Sequence, residues 1–474
     1  MYIDLRRASW MLALLFVFFA TVGAQTPFQK IDEMVQSIPF LKTSEVGIMI
    51  YDLTADSTLY QYQADKLYRP ASVEKVVTSV TALTLLGKEH AYQTRLAYTG
   101  DIHGNTLKGD LYVVGDMDAE FMEEDLEYLA AKVAESGIQV IDGQLKGDIS
   151  MLDSVYWGPG WSWDDSPESF QPYLSPLMLN RGCMKITAEP TELGRPARIS
   201  VNPKSDIYKI DNRSVCFLPS RGNLTITRDW MYNGNTILVK GNVSVRRNSS
   251  LNVFDSKNFF LRTLRYQLSQ KGVAVSADSL SFSTCPQDTI GLYTHSRNIS
   301  VILKQALKES DNLCAESMFF HAARKYHGSE KLNFKKGQQT IKHFIKTYLG
   351  RDERQYRIAD GSGVSLYNYI SPELLIDCLR YAFRNPEIFQ PLYVSLPIAG
   401  IDGTLNYRMN KGKAFQNVRA KTGSVTGVSS LAGYVKAANG HMLSFAIINQ
   451  NVLKMSDARR FQDQLCEIMA SEIR

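Results

Sequence analysis

Residues 69–75 read Arg69-Pro70-Ala71-Ser72-Val73-Glu74-Lys75, and they open the apolar run Val73–Leu86, which Gly87 closes. This pattern predicts a buried α-helix with Ser72 in its first turn. Ser72 then lies near the positive end of the helix dipole, and Lys75 projects from the same face one turn later. A lysine that burial keeps partly neutral can accept a serine proton, so the pair predicts a nucleophile with its base. Taken alone, Ser-x-x-Lys is more typical of a helix cap beside a solvated lysine.

The composition is that of a folded protein. The chain has 474 residues, 44% of them hydrophobic and 21% charged. This length predicts more than one domain. The formal net charge is +5 and no basic block occurs, so the sequence gives no reason to expect a nucleic-acid partner.

The first 24 residues have the pattern of a secretory signal peptide. Arg6 and Arg7 precede the apolar run Trp10–Ala20, and small residues end the segment at Ala24. We therefore predict cleavage near Ala24 and a periplasmic or secreted protein, with an uncleaved anchor as the alternative. The last helix shows no long apolar face, so at most peripheral membrane contact is expected.

The pattern of predicted secondary structure changes after the predicted Ser72 helix. Residues 25–90 include a predicted buried strand, Glu45–Leu53, whereas residues 91–289 show short alternating strands between turns, such as Thr236–Lys240 and Asn242–Arg246. We interpret residues 91–289 as a β-rich inserted region of one or two small modules, and we favour two nested modules. Residues 25–90 and 290–474 then form one domain around Ser72. Four tryptophans of the insert are expected to fill small cores, with a sugar- or peptide-binding surface as the alternative: Trp157, Trp161, Trp163 and Trp230.

No metal or organic cofactor is expected. The six cysteines form no Cys-x-x-Cys pair, and the seven histidines show no His-Glu-x-x-His spacing. Two interpretations of Cys183 and Cys216 are possible. They form a disulfide bridge in an oxidising compartment, or they are two buried small apolar residues.

Two further short motifs follow toward the C-terminus. Ser310-Asp311-Asn312 separates two predicted helices, Ser300–Lys308 and Leu313–Lys325, and is by itself typical of a helix junction. Lys421-Thr422-Gly423 lies on a predicted strand that begins an antiparallel meander. Ser-x-x-Lys, Ser-x-Asn and Lys-Thr-Gly, in this order and in these contexts, are the motifs that penicillin-recognising enzymes require.

With these motifs the chain resembles the class C low-molecular-mass penicillin-binding proteins, the D-alanyl-D-alanine carboxypeptidase/endopeptidase family. The resemblance covers nearly the whole mature chain and extends to Gly109–Gly115, Ala359–Ser365 and Leu396–Leu405. It implies an α+β fold, in which a penicillin-binding (transpeptidase/β-lactamase-like) domain has an antiparallel sheet flanked by helices. The long insertion between Ser72 and Ser310 is also a family feature.

The resemblance implies a serine peptidase that hydrolyses D-alanyl-D-alanine termini or D-alanyl cross-links of peptidoglycan stem peptides, with β-lactams as acylating inhibitors. Ser72 would attack the scissile carbonyl, and Lys75 would accept its proton. Ser310 would relay a proton to the leaving amine, and Asn312 would hold Lys75 and the substrate amide.

The strand motif supplies the substrate-binding residues that the resemblance implies: Lys421, Thr422, Gly423 and Ser424. Lys421 would provide positive potential for the substrate carboxylate, and Thr422 would hydrogen-bond to it. The backbone N–H groups of Ser72 and Ser424 would form the oxyanion hole.

Two features of the sequence depart from the family pattern. Gly115–Asp118 lacks the expected glycine run, and Glu74 places a carboxylate beside Lys75, where it could tune the base.

Two alternative functions are open. One alternative is a β-lactamase or esterase on the same trio of motifs, which the missing Glu-x-x-Leu-Asn motif disfavours. The other is a catalytically silent wall-binding protein, which the intact motifs disfavour.

Overall fold

The computed structural model describes residues 25–217, 223–277, 279–328 and 331–473, so the predicted signal peptide, residues 1–24, lies outside the described residues. The α-helices are α1 (Pro27–Ser37), α2 (Glu74–Leu86), α3 (Glu123–Glu135), α4 (Ser256–Gln270), α5 (Ile299–Lys308), α6 (Asn312–His327), α7 (Phe334–Leu349), α8 (Pro372–Phe383), α9 (Pro386–Ser395) and α10 (Met455–Ser471). None of the helices in this part of the chain is both long and apolar enough to cross a membrane. The strands are β1 (Glu45–Asp52), β2 (Ser57–Tyr62), β3 (Ala91–Tyr98), β4 (Asp101–His103), β5 (Thr106–Lys108), β6 (Leu111–Val114), β7 (Val140–Ile141), β8 (Leu145–Asp148), β9 (Cys183–Glu189), β10 (Arg198–Asn202), β11 (Lys209–Val215), β12 (Thr225–Arg228), β13 (Thr236–Asn242), β14 (Arg247–Asn252), β15 (Ala274–Val275), β16 (Ser281–Phe282), β17 (Ile290–Asn298), β18 (Arg419–Val425), β19 (Val428–Lys436) and β20 (Met442–Gln450).

A five-stranded antiparallel sheet joins the two ends of the chain in the order β18-β19-β20-β1-β2. Met49 and Tyr51 of β1 belong to a core shared with α2, α6 and α8, whereas Ile48 and Ile50 pack in a second core with α10. Side chains alternate between the two faces of a strand, so β1 faces helices on both sides. The continuous apolar run at Glu45–Leu53 reflects this burial on both faces.

The helix after Ser72 lies inside the first of these cores. Every residue of α2 from Glu74 to Leu83 is buried, and the helix packs against α6, α8 and α9. A helix that is buried all round is held rigidly by its neighbours. Gly87 ends it with a φ of 78°, a left-handed conformation that favours glycine, and the predicted glycine stop is therefore confirmed.

The predicted insert forms its own sheets around a separate core. One sheet has the order β16-β8-β6-β3-β17, and α3 and α4 pack in the same core. Its edge strand β17 pairs with β3 from Ile290 to Asn298, so the strand that begins the predicted insert lies beside the strand that directly follows it. Further sheets have the orders β15-β7-β5-β4, β10-β9-β14 and β11-β13-β12. The division into residues 91–289 and residues 25–90 with 290–474 stays a prediction.

Some details of the insert differ from the sequence-based expectations. The predicted strand Asn242–Arg246 is wrong, because β13 ends at Asn242 and the chain then passes to β14, which belongs to a different sheet. Trp161 is buried as expected, but Trp163 is 67% exposed and lies against Trp230 on the surface. Alternation of residue types cannot show where a chain changes sheets. All six cysteines, including Cys183 and Cys216, are free thiols.

Candidate active site

Ser72 lies in a short 3-10 turn, Ala71–Val73, directly ahead of α2. The sequence predicted the first turn of the helix itself, and the structure begins the α-helix two residues later, at Glu74. Lys75 nevertheless reaches back to Ser72, with 3.0 Å between Nζ and Oγ. Ala71 has a φ of 49°, and strained backbone of this kind is found most often at functional sites.

Lys75 is completely buried, and its amine has three neighbours that accept hydrogen bonds. Besides Ser72 Oγ, it contacts Asn312 Oδ1 at 2.7 Å and the backbone carbonyl of Ser362 at 2.8 Å. Burial lowers the pKa of Lys75 to about 8, although nearby carboxylates oppose this shift. The amine is therefore neutral in part of the molecules at physiological pH.

Three buried acidic side chains surround Lys75. Glu316 accepts hydrogen bonds from the backbone N–H groups of Gly361 and Ser362, and burial raises its pKa to about 8. Asp360 accepts a hydrogen bond from the indole of Trp161 at 2.8 Å. Glu74 differs from both, because neither of its carboxyl oxygens has a hydrogen-bond partner among the described residues. Burial raises the pKa of Glu74 well above its ordinary value, which favours the neutral, protonated form of this side chain.

The Ser-x-Asn motif lies at the junction of α5 and α6, as the sequence predicted, although α6 begins at Asn312 and not at Leu313. Ser310 adopts a φ of 62°, and its Oγ accepts a hydrogen bond from Lys421 Nζ at 2.8 Å. Asn312, the first residue of α6, directs Oδ1 to Lys75 and donates from Nδ2 to the carbonyl of Phe170 at 2.8 Å. Because Phe170 belongs to the predicted insert, the insert supports an active-site side chain directly.

Lys421 and Thr422 lie on β18, the edge strand of the central sheet. Lys421 is fully buried, and it also donates to the carbonyl of Thr422 at 2.6 Å. Burial, and then the nearby charge of Lys75, lower the pKa of Lys421 well below its ordinary value. The hydroxyl of Thr422 donates to the hydroxyl of Thr404 at 2.7 Å.

The backbone of β18 passes very close to Ser72 at Gly423. A Cβ added to Gly423 would lie 2.9 Å from the carbonyl oxygen of Pro70 and 3.0 Å from the backbone nitrogen of Ser72. It would also collide with the hydroxyl of Ser430, which donates to Pro70 at 2.6 Å. Only glycine allows this approach, which brings the adjacent Ser424 beside the nucleophile.

The structure thus brings together all eight residues that the sequence analysis selected. Hydrogen bonds link Ser72, Lys75 and Asn312 in one group and Ser310 with Lys421 in a second. Their catalytic and binding roles stay predictions.

Sequence reasoning missed several supporting residues: Phe170, Glu316, Asp360, Ser362 and Thr404. Asp360, Ser362 and Thr404 lie within the stretches Ala359–Ser365 and Leu396–Leu405 that carried the family resemblance. The family resemblance of those stretches could therefore have indicated these three residues. Phe170 could not have been found in this way, because it contributes only a backbone carbonyl.

No group of three or more histidine, cysteine, aspartate or glutamate side chains that could hold a metal ion occurs within the described residues.

Comparison with known families decides the assignment. The sequence model of the D-Ala-D-Ala carboxypeptidase 3 (S13) family matches residues 28–472. The chain belongs to this family. The three motifs that begin at Ser72, Ser310 and Lys421 all lie inside the matched range.

Several S13 relatives are similar over most of their length. The D-alanyl-D-alanine carboxypeptidase of Actinomadura sp. (strain R39) is 29% identical, with 89% of this chain and 80% of the relative covered. The D-alanyl-D-alanine carboxypeptidase DacB of Haemophilus influenzae is 27% identical, with 88% and 87% covered.

Solved structures confirm the predicted penicillin-binding fold. Penicillin binding protein 4 (dacB) from Haemophilus influenzae gives a TM-score of 0.79 at 25% identity, with 92% of this chain and 98% of that chain covered. A structure of the same Haemophilus protein complexed with a β-lactam gives a TM-score of 0.75 at 23% identity, with 93% and 99% covered.

Proposed function

We propose that this protein is a serine DD-peptidase that hydrolyses D-alanyl-D-alanine termini, D-alanyl cross-links of peptidoglycan, or both, through an acyl-enzyme on Ser72. One observation carries the proposal. The hydroxyl of Ser72 lies 3.0 Å from the amine of Lys75, which is fully buried and has a pKa lowered to about 8. Membership of the S13 family supports the same activity.

The hydrogen bonds of Lys75 leave its lone pair for Ser72. A neutral amine has two N–H groups and one lone pair. The side-chain oxygen of Asn312 and the carbonyl of Ser362 can only accept hydrogen bonds, so each takes one N–H group. The lone pair is then directed at the hydroxyl of Ser72, as general-base catalysis requires.

The reaction follows from this geometry. Ser72 Oγ bonds to the carbonyl carbon of the substrate while its proton passes to Lys75 Nζ. The carbon–nitrogen bond of the tetrahedral adduct then breaks, and the leaving amine receives a proton by way of Ser310. Water attacks the resulting ester, which releases the acid product and restores the hydroxyl of Ser72.

Two further parts of the site suit this reaction. The close approach of Gly423 to Ser72 supports an oxyanion hole made by the backbone N–H groups of Ser72 and Ser424, each donor contributing about 3 kcal/mol to transition-state stabilisation. The amine of Lys421 and the hydroxyl of Thr422 can both donate hydrogen bonds to the terminal carboxylate of the substrate.

The partners and location follow from the same proposal. β-Lactams carry a reactive carbonyl near a carboxylate, so we expect them to acylate Ser72, and a Haemophilus relative has been crystallised with one. The predicted signal peptide, residues 1–24, would deliver the mature chain to the periplasm or the exterior, where peptidoglycan lies. The region 91–289 would act as an insert whose Phe170 supports Asn312.

Hydrolysis of an N-acetylated pentapeptide ending in D-alanyl-D-alanine tests the proposal, with released D-alanine as the readout. We expect Ser72→Ala to lower kcat/KM about a thousand-fold or more. Ser79→Ala is a matched control, because Ser79 is a buried serine of α2 that lies outside the catalytic network.

Three results would contradict the proposal. The first is full activity of Ser72→Ala, and the second is an equal loss in Ser79→Ala. The third is rapid penicillin hydrolysis by a wild-type protein that leaves the peptide intact, which would favour the β-lactamase alternative.

A further inference from the structure

A groove of about 850 Å³ lies beside the active site, outside the residues assigned a catalytic role. Its floor is the outward face of α5, which includes Val301 and Lys304, and one wall is formed by Val394 on α9. Val301 and Val394 are 42% and 57% exposed, so the groove is open along its length. α5 is about 15 Å long, the length of an extended peptide of four to five residues.

One end of this groove meets the site at its carboxylate-binding side. Glu309 lines the groove and immediately precedes Ser310. Gly403 also lines it and precedes Thr404, whose hydroxyl is bonded to that of Thr422. Gly403 packs so closely on the end of α5 that an added Cβ would lie 2.5 Å from the carbonyl oxygen of Lys308. The groove therefore continues from Thr422 along α5.

This position places the groove on the leaving-group side of the scissile bond. In the proposed reaction Lys421 and Thr422 contact the part of the substrate that departs. A carboxypeptidase releases a single D-alanine, which spans at most about 3.6 Å of extended chain. A groove along α5, a helix about 15 Å long, has a use only when the departing part is larger, as it is when a D-alanyl cross-link joins two stem peptides.

The charges along the floor favour an anionic peptide. Lys308 forms an ion pair with Asp402, and Glu120, at the insert side, is paired with Arg181 through two hydrogen bonds. Lys304 is exposed and has no ion pair within the described residues, so its charge is available to a ligand.

Glu309 adds a negative charge only at the end nearest Ser310, where the departing amine becomes positively charged. The order of charges along the groove therefore matches a peptide whose amine lies at the active site and whose carboxylates lie further out.

We propose that this groove binds the departing stem peptide of a D-alanyl cross-link, with Lys304 contacting one of its carboxylates. The inference rests on the proposed peptidase function and adds to it an endopeptidase subsite. Because Glu120 belongs to the predicted insert, the insert contributes to one end of the subsite.

The test compares two substrates on one set of variants. The substrates are a purified cross-linked muropeptide dimer and the N-acetylated pentapeptide monomer. The variants are Lys304→Glu and a matched control, Lys335→Glu, which reverses the charge of an exposed lysine on α7 outside the groove. Because a charge-assisted contact is lost, we expect Lys304→Glu to lower kcat/KM for the dimer about tenfold. The monomer should change less than twofold, and Lys335→Glu should affect neither substrate.

Different outcomes of this test would contradict the proposed subsite and the proposed peptidase function. Equal losses on dimer and monomer, or no loss on the dimer, would overturn the subsite. A wild type that cleaves the monomer but not the dimer would overturn it as well. If the wild type cleaves neither and is not acylated by benzylpenicillin, the peptidase function itself fails.

Discussion

The rate at which Ser72 is acylated should rise with pH, following the loss of the ammonium proton of Lys75. Burial lowers the pKa of Lys75 to about 8, and only its neutral amine can accept the serine proton. The neutral fraction is then about one-tenth at pH 7 and about nine-tenths at pH 9. We therefore expect the acylation rate constant to increase about tenfold between these two pH values.

The charges around Lys75 determine the midpoint of this profile. The acidic neighbours Asp311, Glu316 and Asp360 raise the pKa of Lys75 and oppose the effect of burial. The pKa of Glu316 is itself about 8, so Glu316 is charged in only part of the molecules in this pH range. Glu316→Gln removes that partial charge while keeping an oxygen for the N–H groups of Gly361 and Ser362. The midpoint should therefore move to lower pH in this variant.

The assay is the first-order acylation rate at saturating benzylpenicillin, followed by rapid quenching and intact mass. A rate that is flat or falls from pH 7 to pH 9 would refute the role of Lys75 as the base. A midpoint that moves to higher pH in Glu316→Gln would refute the electrostatic account.

Three further predictions concern single side chains. Gly423→Ala should slow acylation by benzylpenicillin about a hundred-fold, because the new Cβ meets the backbone of Ser72 and displaces the oxyanion donors; near-normal rates would contradict this. Glu74 has a raised pKa in the folded state, so its contribution to stability falls as pH rises above its ordinary value. Thermal unfolding should therefore show Glu74→Gln gaining stability relative to the wild type between pH 4.5 and pH 7.5, and a difference independent of pH would refute it. Thr404→Val should lower kcat/KM for the pentapeptide about fivefold, the effect of about 1 kcal/mol for its hydrogen bond to Thr422, with unchanged kinetics as the contrary result.

Much of the framework could be predicted from local sequence patterns. The helix after Ser72, the break at Ser310-Asp311-Asn312 and the strand that carries Lys421 depend on residue periodicity and on caps, which neighbouring residues determine. Family-specific order then linked three motifs that are distant in the chain. The order of the three motifs is therefore what allowed these eight residues to be selected from the sequence.

The surroundings of Lys75 could not be predicted in the same way. Its third hydrogen bond goes to the backbone carbonyl of Ser362, and Asn312 is held by the carbonyl of Phe170. Every residue type supplies a carbonyl, so the sequence carries no sign of these contacts. From the sequence, Glu74 placed a carboxylate beside Lys75 where it could tune the base. In the structure Glu74 is fully buried and its pKa is raised, and this burial depends on the packing of distant helices.

The most direct test of the central claim is the intact mass of the mature protein after incubation with benzylpenicillin, beside that of Ser72→Ala. A stable one-to-one adduct on the wild type and none on the variant is the predicted result, with peptide mapping placing the adduct on Ser72. An unmodified wild type, or an adduct that persists in Ser72→Ala, would contradict the assignment of Ser72 as the nucleophile of a DD-peptidase.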